Sequence, residues 1–163
     1  METSRQTREE PRAQERKLSP RRARDQRGAI AVEFALIVPI LLMLVLGIIE
    51  FGFGYHAWDA TQNAAREGAR LGAVIGGEPN KEDQIRTRVE ETMNFLDSSN
   101  WTITIQCRPA GGGALGTCAW NEGDIVNVRV DYTYDYITPL PNFVGAGGQM
   151  SMTSIAEARF EGE

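Results

Sequence analysis

AIAVEFALIVPILLMLVLGII, residues 29–49, is the stretch whose reading decides the fold. It is a run of 21 residues with one charge, Glu33, and one proline, Pro39. A helix of that length crosses the hydrocarbon core of a bilayer. Pro39 is expected to kink the helix without ending it, since membrane helices tolerate proline. Phe51, Phe53, Tyr55 and Trp58 follow, where an aromatic belt meets the outer interface.

Ahead of this run lies a basic stretch. Residues 1–28 hold nine Lys/Arg and five Asp/Glu; the rest of the chain holds eight and seventeen, a net of −9. Positive charge before an apolar segment places the N-terminus in the cytoplasm. Residues 1–28 lack the large apolar side chains of a core and are expected to be disordered. The acidic remainder argues against a nucleic-acid partner.

Beyond the run, HAWDATQNAAREGARLGAV continues a helical pattern to about residue 75. Ala60, Ala64, Gly68 and Gly72 recur every four residues, a smooth face on which another element can lie close. That element is either the protein's own sheet or a neighbouring helix. Gly76, Gly77 and Pro79 end the helix. Asn80 is the expected N-cap of a second, amphipathic helix over 81–97, with Ile85, Val89, Met93 and Leu96 on its apolar face.

After Asn100 the period becomes two. Strands are expected over Trp101–Cys107, Asp124–Ile137 and Gln149–Glu161. The middle one is the clearest: Val126, Val128, Val130, Tyr132, Tyr134 and Tyr136 share one face, and Asn127, Arg129, Asp131, Thr133 and Asp135 the other. The fold class is α+β: a long N-terminal transmembrane helix continuing outward, a second helix, and a three-stranded antiparallel sheet. Cys107 and Cys118 flank a glycine-rich loop, and on the outer side of a membrane they can form one disulfide.

Arg27-Gly28-Ala29-Ile30-Ala31-Val32-Glu33-Phe34 joins a charged leader, a glycine, an apolar helix and one carboxylate. A secretory signal is cut after its apolar region. A cut before that region leaves the helix in the mature chain. With NAAREGARLGA further on, the segment RGAIAVEFALIVPILLMLVLGIIEFG resembles the TadE-like minor pilins (pseudopilins) of the tight-adherence (Tad) type IV pilus system.

The resemblance implies a pilin-like fold and processing by a prepilin peptidase, with Gly28 the last leader residue and Ala29 the new N-terminus. The further partners it implies are other pilins and minor pilins, the lipid bilayer, and a membrane assembly platform driven by a cytoplasmic ATPase. The place implied is the bacterial cytoplasmic (inner) membrane, crossed once, and the pilus after assembly. The domain plan is then a removed leader (1–28), a transmembrane helix (29–50), its outward extension (51–75) and an extracytoplasmic domain (76–163).

Glu33 lies one turn beyond Ala29, about 6 Å along the helix axis. A carboxylate at that depth is costly. A pairing with the freed amine of Ala29, in its own chain or a neighbour's, would set the stagger between helices. Snorkelling to the headgroups, or protonation, is the alternative. Glu50 and Asp59 read as boundary carboxylates meeting water, and His56 as an interfacial helix residue. No nucleophile–base pair can be nominated, and neither a cofactor nor a metal is expected, so the chain does not read as an enzyme. The competing reading is an uncut single-span anchor that displays an adhesion or binding domain.

Overall fold

The computed structural model describes residues 20–75 and 78–162. Most of the leader and the pair Gly76–Gly77 lie outside the described residues. The elements run α1 (Pro20–Val74), α2 (Lys81–Thr92), β1 (Trp101–Arg108), β2 (Ile125–Asp135), α3 (Leu140–Phe143) and β3 (Gln149–Arg159). The fold class is α+β. The chain divides into two compact units between Leu42 and Met43.

The first unit contributes the N-terminal part of α1. The helix begins at Pro20, inside the stretch expected to be disordered. Proline is preformed for the first helical turn, and each residue added to an existing helix gains a hydrogen bond at little further cost. The helix passes Pro39. Its most apolar 18-residue window has a mean hydropathy of 2.8, and none of that window is buried. A core helix of a soluble protein would bury such residues; this one is a candidate membrane span.

The second unit starts with the outer turns of the same apolar run, Met43–Ile49, and holds the rest of α1, α2 and the sheet. The strands are antiparallel in the order β1-β2-β3. On β2 the alternation is sharp: Val126, Val128 and Val130 are fully buried, and Tyr132 and Tyr134 nearly so. The three valines pack with α1 and with Ile85 and Val89 of α2 and the adjoining Met93, and the two tyrosines with Ala57 of α1 and Met152 of β3.

Several boundaries differ from expectation. The second helix stops at Thr92 rather than 97, because the Met93 N–H is shared between the Val89 and Glu90 carbonyls and the chain turns back at Leu96. Asn80 precedes that helix but sits in a left-handed conformation (φ 60°) and makes no side-chain cap. Gln84 Nε2 instead donates to the Pro79 carbonyl. β2 ends at Asp135, not Ile137, because the Ile137 and Thr138 amides turn to Glu50 of α1. Asn127 stays on the polar face but is buried there, its amide donating to Glu157 Oε1 at 2.9 Å.

Candidate functional site

The small residues of α1 descend in steps of about four, or 6 Å. The inward residues of β2 descend in steps of two, about 6.6 Å. The two rows run antiparallel and stay in register. A Cβ on Gly72 would stand 2.8 Å from Val126 Cγ1, and one on Gly68 would stand 3.2 Å from Val128 Cγ1 and 2.6 Å from Val89 Cγ2. Ala64 is fully buried and Ala60 largely so. Further down, the Thr61 and Ser154 hydroxyls meet at 2.9 Å, and Gly54 faces the Tyr134 ring. Within this unit the smooth face of α1 is occupied by α2 and the sheet.

At the lower end of this contact stands Glu50. It is 8 % exposed, which corrects its reading as a carboxylate in water. Oε1 accepts the Tyr134 hydroxyl at 2.8 Å and the Ile137 amide at 3.0 Å, and Oε2 accepts the Thr138 amide at 2.7 Å. Burial, and then the carboxylate at its hydroxyl, hold Tyr134 protonated far above the ordinary tyrosine range. Glu50 therefore binds α1 to the chain after β2. Sequence reasoning missed this because residues 46 and 54, one turn away, are Leu46 and Gly54, which offer no partner. The donors lie 84 to 88 residues on.

The other singled-out residues fall in separate places. Gly28, Ala29 and Glu33 are exposed on the first unit's helix, and nothing among the described residues would crowd a Cβ at Gly28. His56 is exposed and stacks on Phe95, ring centroids 4.7 Å apart. Phe51, Tyr55 and Trp58 form a contiguous exposed aromatic row, successive centroids 6.3 and 5.8 Å apart. Cys107 and Cys118 are joined in a disulfide at the opposite end of the sheet. Asp131, on the polar face of β2, pairs with Arg129 and Thr153. Among the described residues no cluster of His, Cys, Asp and Glu has the makings of a metal site.

The arrangement has the chemistry of a scaffold: an exposed apolar helix whose second half is faced with small residues and locked to a sheet. A family model described as TadE-like protein matches residues 28–70, from the last residue of the basic stretch through most of the small-residue face. No curated protein and no solved structure matches the chain.

Proposed function

Taking as premise that the chain is TadE-like over residues 28–70, and so Tad pilus-associated, we propose that it is a minor pilin, cut after Gly28 by a prepilin peptidase, acting in assembly of a Tad-type pilus or a related secretion machine. One observation carries this reading: the match opens at Gly28, where the basic stretch gives way to an apolar helix with one carboxylate. A cut there leaves the whole apolar run in the mature chain, held in the cytoplasmic membrane with the sheet domain outside.

The geometry supports a division of labour along α1. Glycine at 28 lets an extended backbone enter a narrow active site. The cut gives Ala29 a positively charged amine. Glu33, one turn on, answers that charge and sets the stagger against a neighbouring pilin helix. The half of α1 beyond Glu50 is committed to its own sheet, which leaves the apolar half to meet lipid and other pilins. The assembly platform and its cytoplasmic ATPase would then act on a helix already carrying a folded domain.

N-terminal sequencing and intact mass of the membrane-bound protein, with and without the peptidase, test the reading. A mature chain beginning at Ala29 is expected, with the full leader retained when the peptidase is absent. A leader retained beside an active peptidase would favour the uncut anchor. Glu33→Val should leave cleavage intact and abolish co-purification with other pilins.

A further inference from the structure

The chain between β2 and β3 carries a cluster of exposed apolar side chains. No charged residue lies between Asp135 and Glu157. Ile137, Phe143 and Val144 are 60 %, 81 % and 70 % exposed. β2 runs antiparallel to α1, so this loop reaches furthest back toward the apolar run. Val126 lies against Gly72, Tyr134 against Gly54, and Leu140 Cδ2 would touch a Cβ on Gly47 at 3.5 Å. Gly47 lies inside the apolar run, in its last turn before Glu50. The loop thus stands at the height where the run ends, beside an apolar groove of about 800 Å³ that Phe51, Tyr55 and Met150 help to line.

Much of its backbone is also paired within the protein. A segment entering the edge of a bilayer must satisfy its own polar groups. The amides of Ile137 and Thr138 go to Glu50, and that of Tyr136 to the Gly148 carbonyl. Those of Val144, Gly145 and Ala146 go to Leu140, Asn142 and Pro141. Pro139 and Pro141 have no N–H to satisfy. The glycine-rich loop at the other end of the sheet carries no such exposed apolar cluster, although Leu115 is partly exposed there.

We propose that residues 137–146 are a second membrane-contacting element, which lays Ile137, Phe143 and Val144 into the outer leaflet at the level of the aromatic row while Glu50 holds the loop against α1. The occupant of this surface is lipid. The argument is continuity: the exposed apolar tips extend the surface of the apolar run at its outer end, and the aromatic row Phe51–Trp58 borders both. This rests on the reading of α1 as a membrane span.

The test uses the full chain with its disulfide intact, so that an added cysteine is the free thiol. Phe143→Cys, Leu44→Cys and Ala114→Cys are each labelled with an environment-sensitive fluorophore and reconstituted into phosphatidylcholine–phosphatidylglycerol vesicles with or without doxyl-labelled lipid. The label at 143 should be blue-shifted and quenched by shallow doxyl lipid several-fold more than the label at 114. A label at 44 in lipid with one at 143 in water overturns the proposal and leaves the span intact. Labels at 44 and 143 both in water overturn the span as well. A label at 143 that is shielded, insensitive to doxyl lipid and exposed on diluting the protein in the bilayer means a second copy covers the loop, and also overturns it. Phe143 is exposed, so its replacement does not threaten the fold.

Discussion

Glu50 and Asp124 are both buried carboxylates that accept backbone N–H groups from a loop, and they stand at opposite ends of β2. Asp124 takes the amides of Asn121 and Ala110, 3 and 14 residues away, at 3.0 and 3.2 Å. Glu50 takes two amides and a tyrosine hydroxyl from more than 80 residues away. The upper loop is thus closed from within its own stretch of chain, and the disulfide closes it again. The lower loop gains its carboxylate tie only when α1 and the sheet have met. One end of the domain is ordered locally, the other by tertiary structure.

The largest expected effect follows from that difference. Glu50→Ala strands two buried donors, the Tyr134 hydroxyl and the Thr138 amide, at about 1–3 kcal/mol each, and the part-buried Ile137 amide at less, so we expect a loss of about 3–5 kcal/mol. Hydrogen exchange should speed up at Ile137 and Thr138 well before it does in β2. Glu50→Gln should not rescue: with its oxygen serving Tyr134 and Ile137, its NH₂ meets the Thr138 N–H donor to donor. Asp124→Ala should cost only about 1–2 kcal/mol, because water reaches the exposed Ala110 and Asn121. Equal losses at the two positions would break the comparison.

Opening the upper staple comes next. Cys107→Ser with Cys118→Ser releases a loop of sequence separation 11. The chain-entropy model puts that at about 2–3 kcal/mol. Unfolding followed by near-ultraviolet aromatic signal, oxidised against double variant, measures it. Exchange at Ile137 and Thr138 should change only as global stability does, since the lower loop has its own tie.

What could be read from the sequence follows the same divide. The Val126–Tyr134 alternation names its inward face without help, because a strand's faces are set by a local period. The small-residue row of α1 is equally plain, although sequence leaves open whether it meets a sheet or another helix. The match to the TadE-like family model covers residues 28–70, which are contiguous. Glu50 was hidden: a carboxylate after an apolar run looks like a boundary residue, and its partners are contributed by the return of a distant strand. The early end of β2 was hidden for the same reason. Asn80 misled because asparagine serves both as a cap and in left-handed turns, and here the turn wins.

Two glycines of α1 sharpen the contrast between its committed and free surfaces. Gly68→Ala places a methyl 2.6 Å from Val89 Cγ2, with Val89 and Val128 fully buried and unable to retreat. Overpacking of about 1–3 kcal/mol, less about 1 kcal/mol of helix propensity, leaves a net loss of up to about 2 kcal/mol. Gly52→Ala meets nothing within 4 Å. It should be neutral or gain up to about 1 kcal/mol. Opposite signs in thermal unfolding support the packed face; a loss at both positions would mean that something else covers Gly52.

The smallest effect is the acid response of a carboxylate that neither end of β2 depends on. Asp131 bonds to Arg129 Nε and a guanidinium NH₂ at 2.7 and 2.8 Å on the polar face, and to the Thr153 hydroxyl. The Arg129 hydrogen bonds, outweighing partial burial, hold its pKa below the ordinary 3.8. A depressed carboxylate contributes stability that is fully present above its unfolded value and is lost as pH falls through the folded value. The pair is a third or more exposed on both sides, so solvent screening limits the contribution to under about 1 kcal/mol. Asp131→Asn should therefore be slightly less stable than the parent at neutral pH, with the gap constant above about pH 5 and closing below the ordinary carboxylate value. A gap that widened on acidification would mean that the Arg129 pair is not what lowers this carboxyl.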